Sequence, residues 1–287
     1  MEIIEAIEQG PRGLYTGAIG WLAPDRHGQF NVAIRTARLA KNSTVSYGVG
    51  GGIVWDSDPV QEAQECIDKS RVLAQPPLPD VALLETLRWS PAEGYWLLSE
   101  HLQRLAESAL FLNYVIDQQQ VLVDLKRAIN GFGQHPQRVR LTLTKQGKVE
   151  ISHQPLRPSP IPVKLVLYDK PMLDSDPLRF HKSDPRPWLS EVADPASVGA
   201  DDWLFINSRG EITESTIANL VIRIGSHWIT PALGSGLLAG TYRRRLIRTG
   251  VLTEQVITQP MLQTAAEIGL INSVRGWRQA ILLKTTH

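Results

Sequence analysis

Lys182, in Phe180-His181-Lys182-Ser183-Asp184-Pro185, is followed 32 residues later by Glu214, in Ile212-Thr213-Glu214-Ser215-Thr216. A lysine amine can condense with an aldehyde. A carboxylate can keep a pyridine nitrogen protonated, so that the ring accepts electrons. Those are the two protein groups that pyridoxal phosphate (PLP) chemistry requires. Many chains carry such a pair as solvated surface groups, so the surroundings decide. Lys164 and Lys170 compete for the amine role. Glu211 competes for the acid role but falls on the opposite face of a regular strand.

At 287 residues the chain has room for one large domain or two modest ones. Its 43% hydrophobic and 21% charged content is ordinary for a soluble globular protein. A net charge of +1 gives no reason to expect nucleic acid or an anionic membrane as partner. Cys66 is the only cysteine, which fits a reducing compartment, and the expected location is cytoplasmic. No apolar stretch approaches the roughly 18 residues of a membrane span, and the first residues lack the pattern of a signal peptide.

The elements that must position the pair follow from periodicity and punctuation. Pro76, Pro77 and Pro79 mark a linker over residues 75–82. Before it, residues 1–74 read as glycine-punctuated strands (13–20, 30–36 and 45–55) and a helix over 59–74 with Asp56 to Asp58 at its start. After it, residues 83–287 read as α+β. Leu83 to Trp89 is a predicted strand, and Ser99 is the predicted N-cap of a helix running to about Tyr114. Val139, Leu141 and Leu143 alternate, turn at Gln146-Gly147 and return through Val149 and Ile151. Strands are expected at 162–168, 203–207, from 212, at 219–224, 227–230, 270–272 and 280–283. Gly240-Thr241-Tyr242 opens a helix over 241–249. Its first N–H groups can bind a phosphate, and glycine allows close approach.

Five segments resemble, in order, the fold-type IV (class IV) PLP enzymes, the family of branched-chain and D-amino-acid aminotransferases and aminodeoxychorismate lyase. They are Leu84-Glu85-Thr86-Leu87-Arg88, Ser99-Glu100-His101-Leu102-Gln103-Arg104-Leu105, Phe180-His181-Lys182, Glu214-Ser215-Thr216-Ile217-Ala218-Asn219 and Leu237-Leu238-Ala239-Gly240-Thr241-Tyr242. The first segment instead resembles the C-terminal end of chorismate-utilising enzymes such as aminodeoxychorismate synthase component I, through Pro11-Arg12-Gly13-Leu14-Tyr15-Thr16-Gly17-Ala18-Ile19-Gly20, Val32-Ala33-Ile34-Arg35-Thr36 and Tyr47-Gly48-Val49-Gly50-Gly51-Gly52-Ile53-Val54. The order of the two resembles the C-terminal part of bifunctional 4-aminobenzoate synthases.

The resemblance implies a fold-type IV enzyme of two α/β subdomains behind a β-rich remnant of a chorismate-utilising domain. It implies that Lys182 carries PLP and works as base and acid, and that Glu214 pairs with the ring nitrogen. Arg104, Gly240, Thr241, Tyr242 and Ser273 would hold the phosphate, with the Thr241 hydroxyl as a donor. Thr86 would meet the substrate side, and Arg275 a substrate carboxylate. In the remnant, Arg35 and the Gly50 to Gly52 amides resemble chorismate-carboxylate ligands and Glu65 a magnesium ligand, although no metal site and no turnover are expected there. The implied reaction converts 4-amino-4-deoxychorismate to 4-aminobenzoate and pyruvate, for folate synthesis. Two alternatives stay open: an amino-acid aminotransferase on the same fold, and a non-catalytic module completing a chorismate-utilising protein. A homodimer is implied, with a chorismate-utilising or glutamine amidotransferase protein as possible partner.

Overall fold

The computed structural model describes residues 6–8, 10–74, 78–172 and 176–283. Part of the expected linker, residues 75–77, lies outside these. The chain divides into two compact units, residues 1–79 and 80–287.

In the first unit, β1 (Ala18–Leu22) pairs antiparallel with β2 (Gly28–Val32), and β3 (Ala37–Leu39) with β4 (Val45–Tyr47). The strand expected over 45–55 ends at Tyr47, where Gly48 to Gly52 begins; glycine has little strand preference. Helix α1 (Pro59–Ala74) starts as expected, with Asp58 accepting the N–H groups of Val60 and Gln61. Ala33 is the one apolar side chain buried among the described residues of this unit. Trp21, Phe30, Ile53, Val54 and Trp55 are all exposed, Trp55 completely.

The second unit contains two sheets. In the first, β5 (Ala82–Ser90) pairs with β7 (Gln137–Leu143), and β7 with β8 (Val149–Pro155). The two-residue strands β6 (Gly94–Tyr95) and β10 (Ser183–Asp184) also lie on β5. Alternation divides the faces. Leu83 and Leu87 of β5 and Val139, Leu141 and Leu143 of β7 pack with Leu105 and Ala109 of α2 (Leu98–Leu112) and Val121 and Leu125 of α3 (Gln118–Ala128). Each buried leucine contributes roughly 1.5–3 kcal/mol. The intervening residues, Leu84 and Thr86 on β5 and Arg138 and Arg140 on β7, point to the other face.

The second sheet contains β9 (Val163–Leu167), β11 (Asp202–Ile206), β12 (Ile212–Ser215), β13 (Asn219–Ile224), β14 (His227–Pro231), β15 (Thr253–Gln255), β16 (Glu267–Asn272) and β17 (Gly276–Leu282). Its order is β12-β11-β9-β17-β16-β13-β14-β15. β12 also pairs with β13 through Glu214 and Asn219, so six strands close into a ring. Leu165, Leu204, Leu220, Ile222 and Leu270 form its core. Gly210, with φ +74°, makes the left-handed turn between β11 and β12. Two short helices flank the ring: α4 (Thr241–Arg248) and α5 (Gln259–Thr264).

One expected cap is corrected. Helix α2 begins at Leu98, and Ser99 lies inside it, where its hydroxyl donates to Glu100. Leu97 caps the helix in a left-handed conformation with no side-chain bond. Leu97 is buried, and that packing, rather than a polar cap, sets where the helix starts.

Candidate functional site

Lys182 is held from both sides. Before it, His181 shares a 2.9 Å hydrogen bond with Ser108 of α2 and stacks on Phe111. At the lysine itself, the carbonyl accepts the Leu84 N–H at 2.8 Å, and β10 follows on β5. Glu214 sits where the strand ring closes. One carboxylate oxygen accepts the Leu238 N–H at 3.1 Å, and the other lies 3.3 Å from the Asn219 amide.

Lys182 and Glu214 line one cavity together with Thr86, Arg104, Gly240, Thr241 and Ser273. Its walls also carry Arg138, Arg140, Arg179, Arg186 and Trp188, which sequence reasoning missed. The signal for two of these was present: Arg138 and Arg140 are the complement of the apolar alternation on β7. Arg140 pairs with Asp184, and Arg186 donates to the Thr216 carbonyl. The competing groups lie elsewhere. Lys164 and Lys170 are exposed, and Glu211 is bound to Arg209 and Asn207.

Burial moves both groups' pKa values toward neutrality. Desolvation, then the Arg104 cation, lowers the Lys182 amine to about 7 against the opposing pull of Glu85. Desolvation raises the Glu214 carboxyl to about 7, although the Leu238 N–H and the Arg179, Arg186 and Lys182 cations oppose it. An amine and an acid so poised can each exchange a proton near neutrality.

The turn at Gly240 and Thr241, which also lines the cavity, suits an anion. Helix α4 begins at Thr241, and Gly240, at its N-cap, makes no side-chain cap bond. Gly240 and Thr241 line the cavity, so the start of the helix, the positive end of its dipole, borders it. A Cβ at Gly240 would fall 2.2 Å from Asn219 Oδ1, so glycine is required by space. Arg104 stands beside this turn, with Nη1 3.4 Å from the Ala239 carbonyl. Ser273 donates to the Thr86 carbonyl at 3.4 Å.

Several expected groups are placed differently. The Tyr242 ring turns away and packs on Trp96, with centroids 4.8 Å apart, which leaves only its backbone near the turn. The Arg275 guanidinium donates to the Arg157 carbonyl at 2.7 Å and does not line the cavity. The Thr241 hydroxyl lies 3.4 Å from His101 Nε2. Arg35 belongs to the first unit, in a cleft with Gly50, Glu65 and Lys69. There Glu65 is paired with Lys69 at 2.6 Å.

A buried carboxyl, an amine of lowered pKa and a helix start beside a guanidinium share one cavity, and such a set fits a cofactor with a ring nitrogen, an aldehyde and a phosphate. Residues 82–282 match the profile described as amino-transferase class IV, and residues 1–75 that of chorismate binding enzymes. A Schizosaccharomyces pombe protein named putative aminodeoxychorismate lyase is 30% identical over 197 residues, covering 66% of this chain and 84% of that protein. A crystal structure of a putative amino-acid aminotransferase from Mesorhizobium loti superposes with a TM-score of 0.67 at 31% identity, covering 71% of this chain and all of that one. Anthranilate synthase component 1 of Cereibacter sphaeroides is 45% identical over 73 residues; this match covers 25% of the chain but only 14% of that protein. The chain belongs to the class IV aminotransferase family.

Proposed function

We propose that this chain is a PLP-dependent lyase that converts 4-amino-4-deoxychorismate to 4-aminobenzoate and pyruvate. The observation that carries the reading is that Lys182 and Glu214 open onto one cavity whose remaining ionised wall is mostly arginine. In this reading Lys182 holds the cofactor's aldehyde carbon, Glu214 its ring nitrogen, and Arg104 with the start of α4 its phosphate. The bound group would supply an electron sink for the carbon that loses a proton.

The chain's own residues do the rest. Neutral Lys182 accepts that proton, and its protonated form returns one. Glu214 is fixed by Leu238 and Asn219, so it would hold a ring nitrogen without reorganising. Arg138 and Arg140 offer a cationic face for the two substrate carboxylates. The enolpyruvyl ether bond breaks, the aromatic ring forms, and the three-carbon fragment leaves as pyruvate. A homodimer in the cytoplasm, supplying 4-aminobenzoate for folate synthesis, belongs to the same reading.

The name of the fission-yeast relative supports lyase chemistry. The Mesorhizobium structure favours a second reading, amino-acid transamination. Purified chain loaded with PLP and given 4-amino-4-deoxychorismate alone should release pyruvate over many turnovers. A requirement for a keto acid on every cycle would favour the aminotransferase. Borohydride reduction should fix the cofactor to the Lys182 peptide, and unchanged labelling of Lys182→Ala would remove the assignment.

A further inference from the structure

Glu85 lies on the helix-facing side of β5, buried to 3% exposure, and does not line the cavity. Its carboxylate nevertheless engages two side chains that do or that touch one that does. Arg104 Nε donates to Oε1 at 2.8 Å and Nη2 to Oε2 at 2.5 Å, a bidentate fork. His101 Nδ1 lies 2.5 Å from the same Oε2. His101 and Arg104 are three residues apart on α2, so one carboxylate reaches both from one side of the helix.

Each contact has a consequence at the far end of the side chain. With Nε and Nη2 on Glu85, Arg104 has Nη1 left, which donates one N–H to the Ala239 carbonyl just before α4 and carries a second. Burial alone would raise the Glu85 carboxyl, but the Arg104 cation and the hydrogen bonds from His101 and Arg104 outweigh it and hold it at about 2, so it is ionised near neutrality. Burial in turn lowers the affinity of His101 for a second proton, despite Glu85. A neutral imidazole facing a carboxylate carries its hydrogen on Nδ1, which leaves Nε2 as acceptor for the Thr241 hydroxyl 3.4 Å away. The hydroxyl is therefore turned toward His101, and Thr241 offers the cavity its backbone N–H. An arginine on a flexible stem and a helix start some 140 residues away in sequence are fixed by one acid.

We propose that Glu85 is a positioning residue for the anion end of the site: it aims Arg104 directly, and Thr241 through His101, so that together they hold a phosphate monoester. This rests on the reading that the cavity takes a phosphate-bearing cofactor, and goes beyond it in assigning phosphate affinity to a residue that touches neither cofactor nor substrate. A merely structural role would affect every ligand equally. A positioning role acts on the phosphate alone.

The test compares PLP with pyridoxal, which shares the ring and aldehyde but lacks the phosphate. Equilibrium dialysis of the full chain gives both dissociation constants for wild type, Glu85→Gln and Glu85→Asp. Wild type should prefer PLP. Glu85→Gln should weaken PLP by about tenfold or more while leaving pyridoxal within about twofold, since a charge-assisted pair is lost. Glu85→Asp keeps the charge on a shorter stem; it should fold where the glutamine variant does not, and should show a smaller loss of the same kind. Equal weakening of both ligands, or an unchanged preference in both variants, overturns the proposal. A wild-type chain with no preference for PLP overturns the cofactor reading itself, and this inference with it.

Discussion

Lys182 and Glu214 line the same cavity, and burial brings both to a pKa of about 7, one from above and one from below. Each would otherwise be fully ionised at neutrality. The strand ring closes at one of them, and a two-residue strand ties down the other.

That convergence leaves a signature in stability against pH. The folded Glu214 carboxyl keeps its proton up to about 7, whereas the unfolded group loses it near 4.5. Its contribution to stability is thus present below 4.5 and lost as pH rises to about 7. Lys182 mirrors it: the unfolded amine holds a proton to about 10.5 and the folded one releases it near 7, so its contribution grows over that interval and is lost as pH falls. The cofactor-free chain should be least stable near neutrality, with limbs no steeper than about 1.4 kcal/mol per pH unit for each group. Urea unfolding from pH 5 to 9 should show Glu214→Gln removing the acidic limb and Lys182→Met the alkaline one. Parallel curves for wild type and both variants would contradict the shifts.

Arg138 tests the cationic wall. Arg138→Gln removes a charge from the cavity without breaking the Arg140–Asp184 pair. KM for 4-amino-4-deoxychorismate should rise about 10- to 100-fold, the value of a charge-assisted hydrogen bond, with kcat within about threefold. Pyruvate release measures both constants. A fall in kcat alone would move Arg138 from binding into the chemical step.

Gly240→Ala probes the closest approach in the site. The new methyl meets Asn219, whose amide also donates to the Leu238 carbonyl at 2.8 Å and faces Glu214. Relief must move Asn219 or the turn, at a cost of about 1–3 kcal/mol. PLP should bind at least about tenfold more weakly by equilibrium dialysis, and affinity equal to wild type would show that the turn can yield freely.

Leu141→Ala separates framework from site. Leu141 is buried at 1% exposure on the helix-facing side of β7, opposite in direction to Arg140. Its truncation should cost about 2–5 kcal/mol in chemical unfolding. PLP affinity of the folded protein should change less than about threefold.

Much of the framework was legible because alternation on a half-buried sheet is a strong signal. Val139, Leu141 and Leu143 gave the β7–β8 hairpin, and Asp58 gave the start of α1. The same alternation placed Arg138 and Arg140 on the opposite face, but reading only the apolar half concealed them. Helix α3 was missed because Val121 and Leu125 are its only buried residues, behind a run of three glutamines. Glu85 was visible only as part of a motif. Whether a charged residue faces solvent or a buried partner depends on α2, which crosses its strand from elsewhere in the chain. Ser99 failed as a cap because local preference yielded to the packing of Leu97.

The first unit has a practical corollary. A unit that buries little more than Ala33, while its hairpin residues Trp21 and Phe30 and the following Val54 and Trp55 are exposed, is a greasy, adhesive module. Preparations of the 287-residue chain should light up the dye ANS and tend to clump, whereas a version trimmed to begin at Asp80 should handle cleanly on a sizing column.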